Sequence, residues 1–239
     1  MGATLRVDDI VARAVAVDGL QPADGAPWLG ALELLVESAS SEAGLHSGGA
    51  EAMRAKLVTL VAERLRAEVL LGANAEIRER PLPVRFVVAG LARSGTTLLH
   101  RLLSCDPDVE FLPTWQAFHP VPPLTGPDER RQDTVDAIEA MRRADPDAFA
   151  VHPLDADAPE EEVFLLQHSF ASMLFALTCP LPSYNAWLST TRHEAAYRFA
   201  CDLLRLNEWR VGRRAVPGML RYALRWVAAW AGEGGKSVE

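Results

Sequence analysis

Residues 90–97 read Gly-Leu-Ala-Arg-Ser-Gly-Thr-Thr: two glycines five positions apart, a cation between them and two hydroxyl residues directly after the second. Glycines allow a backbone to wrap closely around an anion. The N–H groups that open a helix point at its oxygens, and the helix dipole adds favourable potential. Thr96 and Thr97 supply hydroxyl donors beside those amides. The spacing is that of the phosphate-binding pattern G-x-x-x-x-G-K-[ST], with Thr96 standing where that pattern has lysine. A nucleoside triphosphatase uses that lysine on the β- and γ-phosphates, so its loss argues against ATP or GTP hydrolysis. Arg93 places a planar cationic fork inside the loop, suited to phosphate or sulfate. The plainer alternative is a strand–turn–helix whose glycines serve only the turn.

The flanking residues predict the elements that hold this loop. Val84-Arg-Phe-Val-Val-Ala-Gly is a short β-branched run, as in a buried strand. A helix follows over Thr96–Ser104, with Leu98, Leu99, Leu102 and Leu103 expected to face inward and Asp106-Pro107 ending it. Val109–Leu112 reads as a second strand and the proline-rich stretch 113–127 as irregular. Upstream, apolar residues recur at helical spacing over 5–17, 29–38 and 50–72. In the last of these Met53, Leu57, Leu60, Val61 and Leu65 share one face and charged residues fill the other. Downstream, helices are expected over Asp128–Ala144, Pro159–Leu177 and His193–Trp209. These readings divide the chain into a helical N-terminal layer (1–78), a core carrying the loop (79–209) and an atypical tail (210–239).

Composition bounds the rest. Over 239 residues, 49% are hydrophobic, enough for a real core, and the net charge of −8 argues against a generic nucleic-acid binder. Cys105, Cys179 and Cys201 are widely spaced and suggest no metal site. The N-terminus lacks the basic-then-apolar pattern of a signal peptide, and no apolar run approaches the roughly 20 residues of a membrane span. The expectation is a soluble, cytoplasmic protein.

The run Pro83–His100, centred on Ala92-Arg-Ser-Gly-Thr-Thr, resembles the 5′-phosphosulfate loop of sulfotransferases that use 3′-phosphoadenosine 5′-phosphosulfate. The likeness is to a bacterial and actinobacterial type of the family. It extends through Leu102-Leu-Ser-Cys-Asp-Pro, the Trp115 segment, His152 to Pro159-Glu-Glu and Tyr184-Asn-Ala-Trp, and covers most of residues 5–205. It implies an α/β fold: a P-loop-type three-layer parallel sheet with flanking helices. It also implies sulfuryl transfer from that nucleotide, as co-substrate, to a hydroxyl or amine of a small-molecule or lipid-like acceptor. Arg93, Ser94, Gly95, Thr96 and Thr97 would hold the 5′-phosphosulfate end.

The base is open. The family often has glutamate directly after the tryptophan, and this chain has Trp115-Gln116. His119 and Glu161 stand as candidates, with Glu160 and His152 as neighbours. After Leu206 the family's second core strand and 3′-phosphate residues are not recognisable. The tail, with Arg213, Arg214, Arg221 and Arg225 among Leu220, Leu224, Val227 and two tryptophans, reads either as an amphipathic helix that could contact a membrane surface or as a frame-shifted end. The chain is therefore expected to be C-terminally truncated, with an incomplete sheet. A degenerate, non-catalytic anion- or nucleotide-binding relative is the alternative function, and a P-loop kinase or NTPase a more distant one.

Overall fold

The computed structural model describes residues 5–82, 84–90, 94–151, 154–210 and 222–227. Three helices come first: α1 (Val7–Asp18), α2 (Leu29–Ser41) and α3 (Ser47–Ala73). Gly19 ends α1 in the left-handed conformation (φ 72°), its N–H donating to the Val15 carbonyl, a common glycine helix stop. The His46 ring caps α3 by accepting from the Gly49 N–H at 3.1 Å. The apolar spacing read from the sequence buries Ile10, Leu32, Leu35, Leu57, Leu60 and Val61 in one cluster, completed by Phe170, Phe175 and Tyr184 from far along the chain. The C-terminal part of α3 enters a second cluster through Ala67 and Leu71, with Leu112, Leu165, Leu203 and Leu206. One long helix thus runs through both cores.

After the short α4 (Glu76–Glu79), strand β1 (Val84–Gly90) leads through the glycine loop into α5 (Thr96–Leu103). The chain continues through α6 (Thr114–Phe118), α7 (Arg130–Ala144), α8 (Pro146–Val151), a 3-10 helix (Glu162–Ser169), α9 (Leu174–Thr178), α10 (Pro182–Thr190) and α11 (Glu194–Arg210). It returns as β2 (Tyr222–Val227), which pairs in parallel with β1 from Val84↔Tyr222 to Gly90↔Val227. The parallel pairing requires the long helical crossover between them. The class is α/β, helix-rich, with a two-stranded parallel sheet among the described residues.

Several sequence expectations are corrected. Tyr222–Val227 is a strand rather than part of an amphipathic helix, and it supplies the partner of β1 that was unrecognisable after Leu206. Leu224 and Val227 fit a helical spacing in the sequence, but strand pairing decides their conformation. The rest of the tail lies outside the described residues. Val109–Leu112 forms no strand. Instead Pro113 bridges Pro159, and the Leu112 carbonyl accepts from the Glu160 N–H at 2.8 Å.

Pro159–Leu177 is not one helix. The 3-10 helix stops at Phe170, which takes a left-handed φ of 53°. The Tyr184 hydroxyl lies 3.0 Å from the Phe170 carbonyl and 3.1 Å from the Ser172 carbonyl, and accepts from the Ser172 N–H at 3.0 Å. These bonds offset the roughly 1–2 kcal/mol cost of a non-glycine residue in that region. Finally, Leu98, Leu99 and Leu102 do not face inward: Leu98 is 65% and Leu102 60% exposed.

Candidate functional site

The loop between β1 and α5 is shaped by its two glycines. A Cβ on Gly90 would lie 2.7 Å from Ser94 Oγ and 2.7 Å from Thr96 Cγ2, so only glycine permits the helix start to fold this close to the strand end. Gly95 is the N-cap of α5 at φ 86° and, as glycine, brings no side chain of its own to cap that end. Its carbonyl accepts from the Leu99 N–H at 3.0 Å, which starts the helical ladder. The earlier N–H groups of the first turn are the ones an α-helix leaves without an intrahelical partner. Ser94 and Gly95 are exposed, Thr97 is half-buried and Thr96 is buried. The hydroxyl and amide groups of 94–97 therefore gather at the N-terminus of α5 beside the end of a parallel strand, a place where an anion is favoured. Arg93 and His152 lie outside the described residues.

His119 directly follows α6 and lies in a polar cluster. Its Nδ1 is 2.7 Å from Glu63 Oε1, and the other carboxylate oxygen is 2.7 Å from His168 Nε2. Burial would raise the Glu63 pKa, but hydrogen bonds and charge from the two rings bring it down to about 2. For His119, burial opposes the charged form; the Glu63 hydrogen bond and charge, aided by Asp133 and resisted by Arg130, win and raise its pKa. The His119 carbonyl accepts from Arg130 Nη1 at 2.9 Å, and Arg130 is gripped by both oxygens of Asp128 and stacks its guanidinium 5.0 Å from the Trp115 ring centroid.

Glu63 corrects the reading of α3 as apolar on one face and charged on the other: it is buried. Glu63 and His168, 56 and 105 residues from their partners in this network, were not apparent as site residues in the sequence. A signal was available in the spacing: Glu63 stands three residues after Leu60 and four before Ala67 on α3, next to the apolar face.

Glu161 is placed differently. It precedes the 3-10 helix in extended conformation, and its N–H donates to Glu160 Oε1 at 2.9 Å. The two oxygens of Glu63 are engaged by histidines, and Glu161 makes neither of those two bonds. Its segment nevertheless runs beside the start of α6: the Thr114 N–H donates to the Ala158 carbonyl at 2.9 Å and the Trp115 N–H to the Ala156 carbonyl at 3.0 Å. The 3-10 helix bearing His168 packs against α3, α6 and β2, and β2 also meets α5. The histidine cluster and the glycine loop thus sit on elements that share the same strand. Among the described residues, no group of three His, Cys, Asp or Glu side chains is arranged to hold a metal ion, and no helix is long and apolar enough to cross a membrane.

Comparison with known proteins fits this geometry. Residues 83–222, more than half of the chain, match the family model described as "Sulfotransferase family". Among solved structures, the chain is similar to sulfotransferase STF1 from Mycobacterium tuberculosis H37Rv, with a TM-score of 0.75 and 26% identity over 95% of this chain and 62% of that one. It also shares the fold of sulfotransferase STF9 from Mycobacterium avium, with a TM-score of 0.75 and 22% identity over 95% of this chain and 57% of that one. The chain therefore spans about 60% of the length of these two structures. No curated protein sequence matches it significantly. A glycine loop closed against its own helix start, the parallel strand beside it and the match across residues 83–222 agree, and the chain belongs to the sulfotransferase family.

Proposed function

We propose that this chain transfers a sulfuryl group from 3′-phosphoadenosine 5′-phosphosulfate to a hydroxyl or amine of a small-molecule or lipid-like acceptor, in the cytoplasm. The observation that carries the reading is the close approach at Gly90, where any side chain would collide with Ser94 and Thr96. That approach makes a cradle of backbone amides and hydroxyls suited to a doubly charged 5′-phosphosulfate. Ser94, Gly95, Thr96 and Thr97 hold this end of the donor, and Arg93 adds its guanidinium. The core over 79–209, with 1–78 as its helical layer and 210–239 as its tail, carries the reaction.

The acceptor oxygen or nitrogen forms a bond to sulfur as the bridging sulfur–oxygen bond breaks and its electron pair leaves on the 5′-phosphate. The acceptor proton passes to His119 Nε2. The amides and hydroxyls of the loop favour the charge spreading over the departing and terminal oxygens. Glu161, beside the start of α6, is the second candidate for the proton.

Gln116 favours one competing reading. Glutamine stands where the family often has glutamate and cannot act as a base, which suits a relative that binds the nucleotide without turning it over. Calorimetry with adenosine 3′,5′-bisphosphate, ATP and sulfate tests the proposal. Preferential binding of the bisphosphate is expected; equal or tighter binding of ATP, or no nucleotide binding, overturns it.

A further inference from the structure

Burying a carboxylate costs several kcal/mol unless its lone pairs are well satisfied. At Glu63 they are satisfied by two imidazoles, one on each oxygen, both at 2.7 Å. A carboxylate accepts hydrogen bonds and donates none, so each ring must present an N–H to it. For His119 that nitrogen is Nδ1, which leaves Nε2 with the lone pair in the neutral ring. The two histidines differ in access: the His168 side chain is 1% exposed and the His119 side chain 28%. His168 is sealed inside while His119 reaches solvent. The main chain of His119 is fixed as well, through the Arg130 bond to its carbonyl. The charged groups that face the ring are Glu63 from α3 and Asp133 and Arg130 from α7.

We propose that Glu63, its second oxygen held by His168, is a positioning residue that locks His119 in the Nδ1–H tautomer and so leaves Nε2 free to take the acceptor's proton. The inference rests on His119 being the base of the proposed transfer. A carboxylate with a free second oxygen could swing; the second histidine removes that freedom and fixes the direction of the first. Glu63 and His168 touch neither substrate, and they act through the orientation and basicity of His119.

The test uses the full chain with ¹⁵N-labelled histidine. Long-range ¹H–¹⁵N spectra, assigned with His119→Asn and His168→Asn, should show neutral His119 protonated on Nδ1. Glu63→Gln should lower the His119 pKa by about one unit or more. It should move the acid limb of the turnover profile down by the same amount and reduce kcat roughly 100-fold or more, with KM for the donor nearly unchanged. An Nε2–H tautomer in the unmutated chain overturns the inference, as does an unaltered His119 pKa in folded Glu63→Gln. Should the variant not fold, the tautomer of the unmutated chain decides. Should the chain transfer no sulfuryl group, the functional reading fails, and the tautomer and pKa of the resting protein still decide whether Glu63 holds His119 in this way.

Discussion

Replacing Gly90 by alanine probes the loop where it is tightest. The added Cβ would sit 2.7 Å from Ser94 Oγ and Thr96 Cγ2, and each must yield by about 0.7 Å to regain ordinary contact. Ser94 is exposed and its hydroxyl can rotate away. Thr96 is buried and β-branched, so its methyl has no comparable escape and the first turn of α5 must move instead. That turn carries the amides proposed to hold the donor. Overpacking of this kind costs about 1–3 kcal/mol of stability. A displaced set of anion-binding amides should weaken adenosine 3′,5′-bisphosphate by roughly 10- to 100-fold, about 1.4–2.7 kcal/mol. Calorimetry on the folded variant, beside a thermal melt, reads both effects. Gly72→Ala is the control: Gly72 lies within α3, a Cβ there meets nothing within 4 Å, and the change should stabilise by about 0.5–1 kcal/mol without altering binding. Binding by Gly90→Ala as tight as that of the unmutated chain would refute the reasoning.

Other outcomes follow from the same structure. Tyr184→Phe leaves the Ser172 N–H and the Phe170 carbonyl without their partner and should cost about 2 kcal/mol, a fall in Tm of about 4–8 °C by calorimetric scan. Leu98→Ser, at an exposed position, should shift chemical-denaturation stability by less than about 0.5 kcal/mol, whereas Leu203→Ala in the second core should cost about 2–5 kcal/mol. Because the Glu63 pKa is lowered from 4.5 to about 2, its contribution is fully present above pH 4.5 and is lost as pH falls toward 2. That contribution is on the order of 3 kcal/mol, so the stability gap between the unmutated chain and Glu63→Gln should narrow across this window in acid denaturation. A gap independent of pH would contradict the assignment of that charge.

The parts of the molecule legible in the sequence are those where local pattern and tertiary demand agree. The run Val84–Gly90 is β-branched and does form a strand, and the spacing of Met53, Leu57, Leu60, Val61 and Leu65 does give a buried helix face. The glycine loop was readable because Gly90 sits where an added Cβ would collide with Ser94 and Thr96, and Gly95 takes a left-handed φ that favours glycine. The misreadings lie where distant contacts decide. Phe170 leaves the helical path because a hydroxyl fourteen residues away holds it. Leu98 and Leu102 look like a core face on α5, yet burial depends on what covers them, which periodicity does not encode. Tyr222–Val227 becomes a strand through pairing with β1, against a spacing that equally suits a helix. Glu63 and His168 were hidden for a further reason: a charged residue on a long helix and a lone histidine after an apolar stretch look ordinary until folding brings them within 2.7 Å.

The central claim is that this chain moves sulfuryl groups from the nucleotide donor. Its most direct test is release of adenosine 3′,5′-bisphosphate from 3′-phosphoadenosine 5′-phosphosulfate, followed against a panel of hydroxyl and amine acceptors with and without the His119→Asn change. Acceptor-dependent release that is lost in the variant is the predicted result. Tight binding of the donor with no acceptor-dependent release from the unmutated chain would contradict it.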